Sequence, residues 1–377
     1  MSSPVISSLF QPFRSKALQL RNRIVMAPMT RSRAVEANTP NALMAEYYAQ
    51  RATAGLIITE GTSPSSNGLG YPRIPGLFNE AHVAGWKLAT DAVHARGGKI
   101  AVQLMHTGRV AHLANLPAGA EVLAPSAITA PGDMYTDSLG EQPLSPPRAM
   151  SQADIRVAID EFARSARLAV AARFDGVELH GASGYLLEQF FNANINQRSD
   201  GYGGDPDRRN RFIVEVARAV ADSIGADKLG IRFSPHAGMA GAAAFPGVDE
   251  QLVNLVKDLS ALGLAYVHVV DYSGLGMPPV PPKLMSALRK TFGGTFICAG
   301  GFDRSRAVHE LVTGRADLIA FGRPFLANPD LVERLRTNAD LNAPDVSTFY
   351  TAGAKGYTDY PRLTVTSGGL TPTERAS

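Results

Sequence analysis

The sequence predicts an α/β protein built as a single (β/α)8 TIM barrel, and three observations predict it. Eight short apolar runs of the buried-strand type recur along the chain, each is followed by a helix-like amphipathic stretch, and the runs end in polar residues or glycine. The runs are 23–27, 56–59, 99–104, 176–179, 229–233, 266–270, 295–299 and 318–321. Apolar residues three or four apart mark the helices at 41–54, 81–96, 153–172, 209–223, 250–262, 283–292, 304–313 and 329–336. Eight alternating units with no composition break for a linker are what a closed parallel barrel requires; an open doubly wound sheet is the rival arrangement.

The strand ends carry Met29 and Thr30, Glu60 to Thr62, Gln103 and His106, His180, Arg232, Asp271, Gly300 with Gly301, and Gly322 with Arg323. In a barrel all of these converge on one face, so they point to one shared pocket. The stretch 111–147, between strand 3 and helix 3, is rich in Pro, Gly and Ala and is expected to be an excursion over the barrel mouth. The barrel is expected to take up 1–365, with 366–377 as a polar, disordered tail.

Composition excludes several classes of function. The 377 residues are 45% hydrophobic and 19% charged, with a net charge of +3, and basic residues are scattered among acids. No nucleic-acid surface or polybasic membrane surface is indicated, and no window approaches the roughly 18 apolar residues of a membrane helix. A cytoplasmic enzyme acting on small molecules, as a monomer or homodimer, is the expectation. The one cysteine, Cys298, stands in an apolar run and reads as core filling; a thiolate zinc site or an iron–sulfur cluster built by one chain is excluded.

A G-x-G-x-x-G fingerprint is missing, since Gly68 and Gly70 continue as Tyr-Pro-Arg. Phosphate recognition falls instead to Gly300-Gly301 and Gly322-Arg323, because the loops after strands seven and eight of a barrel offer backbone amides to an anion and Arg323 adds the counter-charge. The rival reading is that these glycines only turn the chain. Gln103 carries a donor and an acceptor, Thr30 can donate to a carbonyl, and Arg232 can hold delocalised negative charge; together they suit the edge of an isoalloxazine. Taken singly, they could equally form a solvated polar cluster.

At this point the chain resembles the Old Yellow Enzyme family, in particular its bacterial branch of pentaerythritol tetranitrate and N-ethylmaleimide reductases. The motifs that carry the resemblance run from Leu9-Phe10-Gln11-Pro12 to Gly356-Tyr357-Thr358-Asp359-Tyr360-Pro361. They include Asn22-Arg23-Ile24-Val25-Met26-Ala27-Pro28-Met29-Thr30-Arg31, Val102-Gln103-Leu104-Met105-His106-Thr107-Gly108-Arg109, Asn196-Gln197-Arg198 and Phe321-Gly322-Arg323-Pro324. The resemblance implies an FMN held by Pro28, Met29, Thr30, Gly61, Gln103, Arg232, Gly300, Gly301, Gly322 and Arg323. Thr30 sets the chain apart from a thermophilic-type subgroup with cysteine at that position.

The implied chemistry is reduction of an activated alkene. Hydride addition builds charge beside the reacting carbon, so the site must donate hydrogen bonds to a carbonyl or nitro oxygen and supply an acid for the second carbon. His180 and Ser183 are the candidate donors and Tyr185 the candidate acid, a phenol that keeps its proton at neutral pH. The implied cycle has NADPH or NADH reduce FMN; hydride then passes from flavin N5 to the β carbon, and Tyr185 protonates the α carbon. Tyr71, Met105 and Tyr350 are candidate walls of the substrate pocket. Two departures from the family pattern stand out: Ser183 where the relatives carry His or Asn, and Met105 where bacterial relatives often carry tryptophan. The small-residue segment 238–245 reads as a lid or a loose loop. Rival functions are a phosphate-binding aldolase or isomerase, which lacks a strand-end lysine here, and a flavin protein for redox isomerisation or sensing.

Overall fold

The computed structural model describes residues 6–366 and 369–372. Strand side chains alternate between two faces, and here both faces are apolar, so every strand is buried on both sides. The barrel strands are β1 (Ile24–Met26), β2 (Leu56–Thr62), β3 (Ile100–Leu104), β4 (Gly176–His180), β5 (Leu229–Phe233), β6 (Tyr266–Val270), β7 (Thr295–Ala299) and β8 (Leu318–Phe321). They are parallel, pair in chain order, and close when β8 pairs with β1. Ile24, Val102, Val177, Ile231 and Ile319 face outward against the helices. Val25, Ile58, Ala101, Ile297 and Ala320 fill the interior. The predicted barrel is therefore the observed one.

Helices surround it: α1 (Ala42–Gln50), α2 (Glu80–His94), α3 (Gln152–Ala171), α4 (Leu186–Phe191), α5 (Pro206–Ile224), α6 (Val248–Ala261), α7 (Pro282–Thr291), α8 (Arg304–Val312), α9 (Arg323–Ala327) and α10 (Leu331–Thr337). Local chemistry sets where they start. Asn41 and Asn79 accept from the third backbone N–H of α1 and α2, and Ser151 with Asp154 forms a reciprocal capping box on α3. The short helices α4 and α9 lie outside the eight helical stretches of the sequence reading; each is a single turn or so inserted where the chain leaves the mouth.

Two features absent from the sequence reading complete the barrel. At its base, Phe13–Arg14 pairs antiparallel with Gln19–Leu20, and Phe13 and Leu20 pack into the interior cluster as a plug. At its mouth, the chain after residue 344 returns and is clamped by two buried arginines. Arg31 donates to the carbonyls of Phe349 and Gly356, and Arg33 to those of Thr348, Phe349, Gly353 and Lys355.

The expected excursion does cover the mouth. It forms a hairpin of Asp133–Thr136 with Gly140–Pro143, and Val110, Ala130, Met134 and Leu144 pack as a cluster against Tyr71, Tyr185 and Ala240. The small-residue loop beneath it is tied down, with Ala240 O accepting from Arg109 and Ala243 O from Asn192. Cys298 is a buried free thiol in the helix-facing core. Of the tail expected to be disordered, 373–377 and 367–368 lie outside the described residues; Gly369–Pro372 pairs with Leu363–Thr366. Among the described residues no helix is long and apolar enough to cross a membrane, and no cluster of metal-ligating side chains occurs.

Candidate active site

A cavity of about 390 Å³ opens where the C-terminal ends of β1, β6, β7 and β8 meet. That is the size of a small-molecule site. Its lining is apolar on most sides, with Ala27, Pro28, Met29, Val270, Leu326 and Phe349, and holds two arginines, Arg232 and Arg323. At one rim Gly300 and Gly301 follow each other at φ +136 and +59, a pair of positive values that glycine adopts without strain and that turns successive amides to one side. A side chain on Gly300 would press within 2.5 Å of the Asp271 carbonyl oxygen, so the close turn needs glycine. Gly322 and exposed Arg323 complete this rim.

The barrel interior beneath the cavity is polar, unlike its lower half. On β3, β4, β5 and β6 every second residue points inward, and the register sets Gln103 opposite Glu178 and Arg232 opposite both His180 and His268. Gln103 Nε2 donates to Glu178 Oε1 at 2.8 Å, and His268 Nδ1 meets Glu178 Oε2 at 2.9 Å. Burial holds the His268 imidazole below its ordinary pKa, Arg232 adds to the effect, and Glu178 opposes it. Two buried atoms of this layer, Arg232 Nε and His268 Nε2, have no hydrogen-bond partner in the protein. Buried polar atoms are seldom left so, and Arg232, a donor, also lines the cavity.

Beside the cavity lies a cluster of hydroxyls and one imidazole. Tyr185 donates to the Tyr71 hydroxyl at 3.0 Å, and its ring meets that of His180 edge-on with centroids 4.8 Å apart. Burial, with Tyr71 and the tyrosines Tyr272 and Tyr350 nearby, pushes the Tyr185 phenol well above its usual pKa, so it stays protonated. Burial, with the Arg232 and His268 side chains beyond, drives His180 well below the usual imidazole range. The backbone N–H of Ala182 points at His180 Nδ1 at 3.3 Å; with Nδ1 accepting, the neutral ring carries its proton on Nε2 and can donate from there.

Eight of the ten sequence-derived cofactor residues line the one cavity: Pro28, Met29, Thr30, Arg232, Gly300, Gly301, Gly322 and Arg323. The other two, Gly61 and Gln103, pair with each other across β2 and β3 one layer below. Of the substrate candidates, Tyr350 lines the cavity from the returning C-terminal segment, and Tyr71, His180 and Tyr185 form the adjoining cluster. Met105 is not in the cavity wall; it is buried with Leu69 and Ile74 against Tyr71 and Tyr185, and its sulfur would lie 2.4 Å from any Cβ at position 61, so the two side chains would compete for one space. Ser183 sits at φ +61, its hydroxyl 3.2 Å from that of Tyr272. Sequence reasoning assigned no part to Glu178, His268, Tyr272 or Phe349. The first two carried a signal, the inward register shared with His180.

These residues fit a flavin mononucleotide by their chemistry: an anion rim of glycine amides and arginine, an apolar slot for a flat ring, and an unpartnered buried arginine nitrogen for the ring's polar edge. Placed at the C-terminal mouth of a (β/α)8 barrel, they define a flavin-dependent oxidoreductase. The model of the NADH:flavin oxidoreductase / NADH oxidase family matches residues 8–342. The chain is 40% identical over 376 residues to 12-oxophytodienoate reductase 7 of Oryza sativa subsp. japonica, covering 94% of each. Among solved structures it is similar to morphinone reductase in complex with tetrahydroNAD, at 41% identity, TM-score 0.90, and 96% and 98% coverage of the two chains. It is likewise similar to the Old Yellow Enzyme homologue from Zymomonas mobilis, at 39% identity, TM-score 0.90, and 94% and 99% coverage. The chain belongs to the Old Yellow Enzyme family, the FMN enzymes that act as NADH:flavin oxidoreductases of the ene-reductase type.

Proposed function

We propose that this enzyme reduces the carbon–carbon double bond of activated alkenes, α,β-unsaturated carbonyl compounds above all and nitroalkenes by the same logic, with NADPH or NADH as donor. The observation that carries the reading is the pairing of a neutral His180, with its proton on Nε2, and a protonated Tyr185 at one edge of the cavity. Those are the two proton-bearing groups that the reaction needs: one for the substrate oxygen and one for carbon.

When bound, FMN supplies the chemistry of hydride exchange between a nicotinamide and a carbon acceptor. Pro28, Met29, Thr30 and Arg232 would hold its ring, with Gln103 and Gly61 beneath, and Gly300, Gly301, Gly322 and Arg323 would hold its phosphate. As hydride reaches the β carbon of the alkene, the π electrons move toward the carbonyl oxygen. The His180 Nε2–H donates to that oxygen, and a neutral donor in a dry site stabilises the enolate strongly. The α carbon then takes the Tyr185 proton: a C–H bond forms, the O–H bond breaks, and the tyrosinate regains a proton from solvent. Tyr71 stands ready to donate to that tyrosinate across the existing contact. Glu178, held by Gln103 and His268, anchors the layer from which His180 and Arg232 project.

Steady-state oxidation of NADPH or NADH tests the proposal, run anaerobically with 2-cyclohexenone and followed by product analysis. Nicotinamide oxidation that depends on the enone and yields cyclohexanone supports it. Oxidation without any saturated ketone overturns it.

A further inference from the structure

Ser183 and Tyr272 form a hydroxyl pair, and the way the pair is held bears on which of the two meets the substrate. This inference rests on the reading of His180 as a donor to the substrate oxygen. The Ser183 backbone stands at φ +61, a left-handed conformation, and its N–H is engaged by Ser234 Oγ at 2.9 Å. Its hydroxyl lies 3.2 Å from that of Tyr272. Neither Ser183 nor His180 is part of the cavity wall; Tyr272, just after β6, is, and it lies close enough to Tyr185 to help raise that phenol's pKa. Arg232 lies 6.0 Å from the centroid of the Tyr272 ring, at the limit of a cation–π contact.

Two hydroxyls joined by one hydrogen bond use one proton between them and leave one O–H free. The free one does most work on the member that faces the cavity. A phenol is also a stronger donor to a developing oxyanion than an aliphatic alcohol. A donor that itself accepts a hydrogen bond is polarised further, so a Ser183-to-Tyr272 bond sharpens the phenol. We infer that Tyr272 is the second hydrogen-bond donor to the substrate oxygen and that Ser183 acts through it as a positioning residue. The oxygen is then gripped from two strand ends, His180 on β4 and Tyr272 after β6. Ser183, the departure from the family pattern, matters through Tyr272 rather than by its own reach.

A flat ring bearing an oxygen probes this grip, so the test is a titration of the FMN-loaded protein with 4-hydroxybenzaldehyde, read from the visible flavin band. Wild type, Tyr272→Phe, Ser183→Ala, the double variant and His180→Ala are compared, with FMN content checked for each. Tyr272→Phe is expected to raise Kd by roughly 10-fold or more, as loss of a hydrogen bond to a charged oxygen does. Ser183→Ala should raise Kd less, and the double variant should bind no worse than Tyr272→Phe. The same substitution should raise the KM for 2-cyclohexenone. A Kd for Tyr272→Phe within twofold of wild type overturns the inference, and so do losses that multiply in the double variant. If His180→Ala weakens the phenol while Tyr272→Phe does not, only the role of Tyr272 fails; if neither matters, the reading of the whole oxygen site fails with it.

Discussion

Tyr185 donates a hydrogen bond from its hydroxyl to that of Tyr71, oxygen to oxygen 3.0 Å apart, with the two rings nearly perpendicular at 82°. The contact is asymmetric: Tyr71 keeps its own O–H for another acceptor. The contact adds to burial in raising the Tyr185 pKa, so the phenol keeps its proton until a strongly basic carbon forms beside it.

Replacing Tyr185 separates the two half-reactions. Tyr185→Phe should slow reduction of 2-cyclohexenone by about 10² to 10⁴, the usual worth of a positioned general acid, because only that step needs a proton on carbon. Flavin reduction by the nicotinamide should stay within a few-fold of wild type. Stopped-flow measurement of each half-reaction checks this, and equal slowing of both would assign Tyr185 a structural part.

The rim arginine bears on cofactor retention. Arg323 is exposed beside Gly322 and next to the Gly300-Gly301 turn. Arg323→Ala should weaken FMN binding by roughly 10- to 150-fold, since a hydrogen bond to a charged group contributes about 1.5–3 kcal/mol. Fluorescence of FMN released on dilution measures it. Riboflavin, lacking the phosphate, should bind the variant and wild type alike.

Glu60 makes stability depend on pH. Its carboxyl is buried and accepts from the Arg31 and Ser32 N–H groups and the Tyr48 hydroxyl, yet burial outweighs these and raises its pKa from 4.5 to about 7. Folding thus favours the protonated form. Below pH 4.5 both states are protonated and nothing is lost; between about 4.5 and 7 the unfolded state releases the proton first and stability falls; above 7 the loss is complete. The loss is on the order of 3 kcal/mol. Glu60→Gln should remove this part of the slope in thermal melts across that window. An unchanged slope would place the ionised form in the fold.

Arg33 holds the segment that brings Phe349 and Tyr350 to the cavity. Arg33→Lys keeps a charge but cannot reach the same set of carbonyls, and each buried acceptor left alone costs about 1–3 kcal/mol. The variant should melt several degrees lower and lose FMN faster than wild type. A variant that melts lower with FMN off-rate unchanged would show the clamp to be structural only.

Much of the site was legible because barrel strands end on one face: Gly300, Gly301, Gly322, Arg323, Thr30 and Arg232 stand at strand ends in the sequence and around one cavity in space. Glu178 and His268 were harder to see because each is one polar residue inside an apolar run, and their meaning lies in the inward register that only strand pairing reveals. Tyr272 and Phe349 were beyond reach for another reason. They sit in loops whose partners are far away in sequence: Tyr272 meets the Ser183 hydroxyl, and Phe349 is held by Arg31 and Arg33. The Phe13–Leu20 plug is too short to show a strand period at all.

In the proposed reaction Tyr185 delivers a solvent-derived proton to carbon after hydride has reached the other end of the double bond. That step is tested most directly by reducing 2-methyl-2-cyclohexenone with NADPH or NADH in deuterium oxide and locating the label by NMR. The enzyme described here should place one deuterium on the α carbon, and Tyr185→Phe should form that product far more slowly. A saturated ketone with no deuterium at the α carbon, or one formed as fast by Tyr185→Phe as by wild type, would contradict the account.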